Sequence, residues 1–93
     1  MAVRRIYKVV EEHLFEVDEL DHMVKGRISY CPDMPKEVGA YYWEISHFYK
    51  PSAAAAGIYY PSNRNATSLE GARESLFMYA SGLPGADLSP SKY

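Results

Sequence analysis

The sequence predicts an α+β domain, in which a small antiparallel sheet of about three strands carries an N-terminal helix and a C-terminal helix packed on one face. Three patterns lead to this prediction: a segment without Gly or Pro over residues 2–25, an alternating aromatic segment over residues 41–49, and a capped apolar stripe over residues 67–83. With 93 residues in all, the chain is expected to form one domain over residues 1–84, because a shorter piece would bury too little apolar surface. Residues 85–93 are rich in small and polar side chains and are expected to be a mobile tail.

The first element is predicted to be one long amphipathic helix over residues 2–25. Apolar side chains recur there at spacings of three, four or seven, at Val3, Ile6, Val10, Val17, Leu20 and Val24. Gly26 stands just past this segment, where a helix C-cap residue would lie. The alternative is a strand over residues 3–10, because "IYKVV" is rich in β-branched and aromatic residues and periodicity does not decide short runs. The helix is the favoured prediction.

Three strands are predicted to follow the helix. They are "GRISYC" at residues 26–31, "YYWEISHFY" at residues 41–49 and "IYYPSN" at residues 58–63. The second and third are expected to form an antiparallel hairpin across the loop "PSAAAAG".

The side chains of residues 41–49 alternate between two faces of the predicted strand. The face expected to pack under the helices holds Tyr41, Trp43, Ile45, His47 and Tyr49. The other face holds Tyr42, Glu44, Ser46, Phe48 and Lys50. Most of these rings are expected to form core, but the aromatic side chains of Tyr42, Phe48, Tyr59 and Tyr60 do not all fit the inner face. Some of them are therefore expected to be exposed and to bind a partner.

The last predicted element is a helix that begins near Thr67 and ends at Gly82. Thr67 can serve as the N-cap, and Glu70 stands three residues later as its capping-box partner. The apolar stripe consists of Leu69, Ala72, Leu76, Ala80 and Leu83. Gly82 and Pro84 are expected to stop the helix.

Charge and composition argue against several classes of function. The net charge is −2 and the pI is about 5.9, so the chain lacks the basic surplus that neutralises nucleic-acid phosphates, and direct nucleic-acid binding is disfavoured. The single cysteine excludes an internal disulfide, and "MAVRRIYKVV" lacks the apolar core of a signal peptide. We expect a cytoplasmic protein without a membrane span, since no run approaches the roughly 20 apolar residues that a span needs.

No motif for catalysis or cofactor binding stands out. Cys31 and His47 could meet across neighbouring strands as a nucleophile and its base, but no nucleophile elbow or glycine-rich turn surrounds them. Potential metal ligands in the N-terminal segment are His13, Asp18, Asp21 and His22. Structural zinc takes four ligands, usually with paired cysteines, and the chain has no CxxC. The sequence therefore predicts a non-enzymatic protein without a metal or cofactor, and a small enzyme using Cys31 and His47 is the alternative.

The strongest charge feature is "EEHLFEVDELD", residues 11–21, which has six acidic residues and no Lys or Arg. The six are Glu11, Glu12, Glu16, Asp18, Glu19 and Asp21. On the predicted helix they would form a row of carboxylates opposite the apolar stripe. The row is either an ordinary solvated face or a surface that docks into a basic groove of a protein partner. Under the second hypothesis, exposed Tyr42, Tyr59 and Tyr60 would anchor the complex.

The pattern "YYWEISHFYKPS…GIYYPSN…TSLEGARESLFMYASGL" resembles the small single-domain proteins of phages and mobile elements, and it is most similar in kind to anti-CRISPR proteins. The resemblance rests on size, acidic balance and the strand, hairpin and helix at the end of the chain. It implies stoichiometric inhibition in the host cytoplasm, in which the chain binds a CRISPR effector subunit and blocks target-DNA binding or nuclease recruitment. The other candidate is a homodimeric module that pairs through its aromatic sheet face, so both a monomer and a homodimer are compatible with the sequence.

Overall fold

The computed structural model describes residues 3–18, 20–49, 61, 63–83, 88–90 and 93. In chain order its elements are β1 (Lys8–Phe15), β2 (Val24–Tyr30), β3 (Tyr41–Ile45), β4 (His47–Phe48), β5 (Asn65–Ala66), α1 (Leu69–Ser81) and β6 (Ser89–Pro90). Four strands form an antiparallel sheet in the order β1-β2-β3-β5, and β4 pairs with β6 in a separate two-stranded sheet. The predicted α+β class, antiparallel sheet and C-terminal helix are confirmed.

The predicted helix over residues 2–25 is wrong, because the described part of this segment contains β1 and the start of β2 and no helix. The two strands form an antiparallel hairpin in which Phe15 lies opposite Val24. Val3 and Ile6, which helped to define the helical stripe, are 72% and 74% exposed. A helix with those residues on one face would therefore have had no core to cover. Pairing with β2 instead satisfies backbone groups on one side of residues 8–15.

Gly26 lies inside β2 and not at the end of a helix. A Cβ atom at this position would lie 2.8 Å from Cε2 of Phe15 and 2.9 Å from Cδ1 of Leu76. A strand glycine of this kind marks a close approach of neighbouring groups. The missing side chain therefore lets helix α1 pack closely on the β1-β2 hairpin.

The hydrophobic core lies between helix α1 and one face of the sheet. Its buried members are Val24, Ile28, Trp43, Ile45, Phe48, Ala72, Leu76, Tyr79 and Leu83. The predicted alternation holds along β3, where Trp43 and Ile45 are only 3% and 2% exposed. The second predicted strand thus supplies the centre of the core, as its aromatic face indicated.

The alternation fails after Ile45, because the strand is interrupted at Ser46. The backbone N of Lys25 donates to Ser46 Oγ at 2.8 Å, and the backbone N of Ser46 donates to the Lys25 carbonyl at 2.8 Å. Phe48, predicted on the outer face, is instead buried against Tyr79, with ring centroids 6.4 Å apart. The two hydrogen bonds to Ser46 fix the chain where the strand is interrupted. Beyond this point, odd and even residues no longer alternate between the inner and the outer face.

Helix α1 begins one residue later than the sequence indicates. Ser68 is the N-cap, and its side chain accepts a hydrogen bond from the backbone N of Gly71 at 3.0 Å. The prediction that Thr67 caps the helix is therefore wrong, and a cap at Ser68 puts Gly71 in place of Glu70 at the capping-box position. The predicted end at Gly82 is confirmed, since this residue is the C-cap.

Two predictions concern segments that are described only in part. The predicted strand over residues 58–63 lies mostly outside the described residues, and the neighbour of β3 in the sheet is β5. The mobility of residues 85–93 stays a prediction. In the described part of that segment, β6 pairs with β4, and Tyr93 packs against the sheet.

Candidate protein-binding surface

Strand β1 is an edge strand, and among the described residues β2 is its only neighbour in the sheet. Its eight residues, Lys8–Phe15, make it the longest strand described, and residues 11–15 pair regularly with β2. A register shift between Val9 and Glu11 marks a bulge near the start of the strand. An edge strand presents a row of backbone N–H and C=O groups that another chain can pair with, and a bulge is one device that limits such pairing. The regular stretch over residues 11–15 is therefore the part of the edge best suited to pair with a partner.

Exposed apolar side chains concentrate on β1 and on the segment before it. We call this set the β1 surface; it consists of Val3, Ile6, Tyr7, Val9, Val10 and Leu14. Leu14 is 66% exposed although it lies in the regular part of the strand. Concentration of apolar side chains along one exposed element is typical of an interaction site. The motif "IYKVV" contained the signal for this strand, but the helix was the favoured prediction.

Basic and acidic side chains lie in opposite halves of the same segment. Arg4, Arg5 and Lys8 are exposed in its first half. Glu12, Glu16 and Asp18 are exposed in its second half. Glu12 on β1 and Glu16 and Asp18 just beyond its end are therefore open to solvent, and none of the three lies on a helix.

Glu11 differs from these three acids because it is paired within the chain. The guanidinium of Arg73 on α1 donates hydrogen bonds to both carboxylate oxygens of Glu11. The bond from Nε of Arg73 to Oε1 of Glu11 is 3.1 Å long. His13 Nε2 lies 2.9 Å from the same oxygen. The hydrogen bond from Arg73, followed by that from His13, lowers the pKa of Glu11 from 4.5 to about 2. Glu11 thus connects the sheet to the helix, and its role in partner binding stays a prediction.

The two remaining acids of the predicted row are Asp21 and Glu19. Asp21 is exposed and its Oδ1 lies 2.9 Å from His22 Nδ1. That hydrogen bond is the first cause that lowers the pKa of Asp21. Glu19 lies outside the described residues. Of the five predicted carboxylates that the structure describes, Glu11 and Asp21 are paired within the chain, and Glu12, Glu16 and Asp18 are exposed.

A groove of about 570 Å³ lies between the start of the β1 surface and the sheet face turned away from α1. Its lining is Tyr7, Val9, Arg27, Ser29, Tyr42 and Glu44. Tyr42 is half-buried and contacts Tyr7, with ring centroids 6.2 Å apart. Tyr42 therefore lies on the open face as predicted, whereas Tyr59 and Tyr60 lie outside the described residues.

The cation in this groove is already engaged. Arg27 Nε donates to Glu44 Oε1 at 2.8 Å, and this bond raises the pKa of Arg27. The ring of Tyr93 lies over the same guanidinium, 4.2 Å from its Cζ atom, and burial raises the pKa of the Tyr93 hydroxyl. Such an arrangement fixes the side chain of Arg27. It leaves the rim residues Tyr7 and Tyr42 as the groups best placed to contact a partner.

The structure does not bring Cys31 and His47 together. The backbone N of Cys31, just beyond the end of β2, donates to the Ala40 carbonyl at 2.8 Å. His47 instead follows Ser46, which is bonded to Lys25 near the opposite end of β2. Lys25 and Cys31 are six residue steps apart along the strand, or roughly 20 Å at the rise of a β-strand. The Cys31 side chain is also fully buried. The alternative prediction, in which Cys31 and His47 meet as a nucleophile and its base, is therefore wrong.

The histidines considered as metal ligands have separate environments. His13 packs against Phe77, with ring centroids 4.9 Å apart, and contacts Glu11. His22 lies beside His47, with ring centroids 5.3 Å apart. Within the part of the chain that the structure describes, no group of three or more His, Cys, Asp or Glu side chains could hold a metal ion.

None of the helices formed by the described residues is long and apolar enough to cross a membrane. No protein-family model, curated protein or solved structure matches this chain.

Proposed function

We propose that this chain is a non-enzymatic binding protein that engages a protein partner along the β1 surface. The observation that carries the proposal is an eight-residue edge strand on which Val9, Val10 and Leu14 are exposed. A partner strand can add to such an edge through backbone hydrogen bonds, while side chains that flank the edge supply specificity. A protein that acts by occupying the surface of its partner needs only affinity for that surface. A few apolar anchor residues within a charged rim can supply this affinity.

The charges beside the edge suggest the chemistry of the partner. Glu12, Glu16 and Asp18 are exposed in the second half of the segment and would favour a basic surface through steering and complementarity. A groove that normally holds nucleic acid has that character. In line with the resemblance to anti-CRISPR proteins, we propose a CRISPR effector subunit as the partner and obstruction of target-DNA binding or nuclease recruitment as the effect.

A DNA-binding assay with a purified effector from the same host tests this function. Stoichiometric amounts of the chain are expected to lower the amount of target DNA that the effector binds or cleaves. The variant Leu14→Lys should abolish the effect, because it replaces a 66% exposed apolar side chain of the β1 surface by a charge. Met78→Lys is the matched control, since Met78 is 73% exposed on α1, outside the β1 surface. Equal inhibition by the two variants, or no inhibition by the wild type, would contradict the proposal.

The acidic side chains can be tested by charge reversal. Glu12→Lys combined with Glu16→Lys should slow association with the effector and weaken the salt dependence of its rate. The control carries Glu70→Lys and Glu74→Lys, two exposed positions on α1, and has the same net charge. Unchanged association of the first variant would remove the acidic residues from the interface.

Self-association is a second candidate, favoured by the charge polarity of the segment. In an antiparallel pair of β1 strands, the basic half with Arg5 and Lys8 would lie opposite the acidic half with Glu12 and Glu16 of the second copy. Light scattering at rising protein concentration should then show a dimer. Arg5→Glu with Lys8→Glu should weaken it, and adding Glu12→Lys and Glu16→Lys should restore it. A monomer at all concentrations would exclude this candidate and leave a heterologous partner.

A further inference from the structure

Two histidines that are distant in sequence lie side by side at one end of the sheet. His22 precedes β2 and His47 begins β4, and their ring centroids are 5.3 Å apart with an interplanar angle of 46°. Nitrogen–zinc distances of about 2.0–2.1 Å and tetrahedral angles place the centres of two imidazoles on one ion about 5 Å apart. The observed spacing therefore allows both rings to reach a single metal ion through side-chain rotation alone.

Each ring is oriented through the same nitrogen. His22 Nδ1 lies 2.9 Å from the carboxylate oxygen Oδ1 of Asp21, and His47 Nδ1 lies 2.8 Å from Ser46 Oγ. A metal-binding histidine commonly donates its second ring N–H to a carboxylate or another acceptor, which selects the tautomer and leaves Nε2 for the metal. Asp21 can accept from His22, and the second lone pair of the Ser46 hydroxyl can accept from His47. Both Nε2 atoms are then available as ligands.

The backbone that carries the two rings is held by hydrogen bonds. Lys25 and Ser46 exchange the two bonds of 2.8 Å described above, so the start of β2 is tied to the residue just before His47. His47 is half-buried, so the packing around it restricts its ring.

We propose that His22 and His47 form a site for a divalent transition-metal ion, with both Nε2 atoms as ligands and water in the remaining positions. Imidazole suits Cu²⁺, Ni²⁺ and Zn²⁺, and affinity is expected to be highest for Cu²⁺. With two protein ligands, the site binds more weakly than a structural zinc site with four. The ion would connect the β1-β2 hairpin to β4. This site is independent of the β1 surface.

Metal titration of the untagged protein with Cu²⁺, Ni²⁺ or Zn²⁺ alone, followed by calorimetry, tests the site. One ion per chain is expected, and His22→Asn and His47→Asn should each raise the dissociation constant at least about tenfold. His13→Asn is the matched control, because it removes the third histidine of the chain and should leave binding unchanged. Asp21→Asn should weaken binding less than removal of a ligand, since the exposed carboxylate only orients His22.

Two further measurements keep the test decisive if a variant folds poorly. Electron paramagnetic resonance of the Cu²⁺ complex should show hyperfine coupling to two imidazole nitrogens in the wild type and in His13→Asn. The metal should raise the melting temperature of the wild type but not of His47→Asn, because a ligand stabilises only the form that binds it. Absence of binding by the folded wild type, or binding that survives both His22→Asn and His47→Asn, would overturn the proposal.

Discussion

Glu11 of the edge strand and Arg73 of helix α1 form an ion pair across 62 positions of sequence, with both carboxylate oxygens of Glu11 accepting from the guanidinium. The paired geometry gives two parallel hydrogen bonds, a stronger arrangement than a single contact. It joins β1 to the helix on the side of the sheet where the core lies. The most exposed strand of the sheet is therefore held by a contact that charge counting along the sequence could not identify.

This pair predicts a pH dependence of stability. The pKa of Glu11 is lowered to about 2, chiefly by the hydrogen bond from Arg73, so the folded state favours the ionised carboxylate. The stabilisation is fully present above about pH 4.5 and is lost as the pH falls through the folded value near 2. Urea unfolding should show that Glu11→Gln is less stable than wild type at neutral pH, with the difference shrinking as the pH falls. Glu16→Gln, at an exposed position, is the control, and an equal loss in that variant would contradict the assignment.

The structure places the N-cap of α1 at Ser68, one residue after the predicted cap at Thr67. Both residues are exposed, but it is Ser68 that accepts the cap hydrogen bond from the backbone N of Gly71. Ser68→Ala should therefore lower the free energy of unfolding by about 1 kcal/mol, and Thr67→Ala should change it by no more than about 0.5 kcal/mol. Chemical denaturation of the two variants measures the difference. The reverse order would place the cap at Thr67.

Gly39 adopts a conformation that other residues rarely reach, with φ of 105°. A Cβ atom at this position would also collide with the carbonyl of Ala66 in β5. Gly39→Ala should thus destabilise the protein by at least about 2 kcal/mol, from backbone strain and steric overlap together. Lys36→Ala, at an exposed position in the same loop, should have little effect. Thermal unfolding compares the two, and similar melting temperatures would show that the loop has another conformation.

The Cys31 side chain is fully buried at the end of β2. Its thiol should react with an alkylating reagent far more slowly in the native protein than in urea, because the reaction needs local opening. Mass spectrometry over a time course measures both rates. Rapid alkylation of the native protein near neutral pH would indicate an activated thiol and contradict the non-enzymatic proposal.

Helix α1 and strand β3 were predictable because their signals are local. The apolar stripe of the helix and the stop at Gly82 lie within one short segment, and the alternation that buries Trp43 and Ile45 needs only the period of a strand. The failure at Ser46 has a different origin. The hydrogen bonds that interrupt the strand come from Lys25, and no pattern around residue 46 indicates such a partner.

The binding surface was predictable in composition but not in geometry. The acidic cluster and the position of Tyr42 on an open face followed from the sequence. The separation of Glu11 from Glu12, Glu16 and Asp18 did not, because it depends on Arg73 reaching Glu11 from the far end of the chain.

By itself the sequence determined one C-terminal helix, an aromatic strand at the centre of the core and an acidic segment near the N-terminus, since each is written in the spacing of neighbouring residues. Only the tertiary structure decided that residues 8–15 form an edge strand. Spacings of three and four in that segment favour a helix when it is taken alone. Pairing with β2, which satisfies the backbone groups on one side of the strand, and the bond from α1 to Glu11 outweigh that local preference.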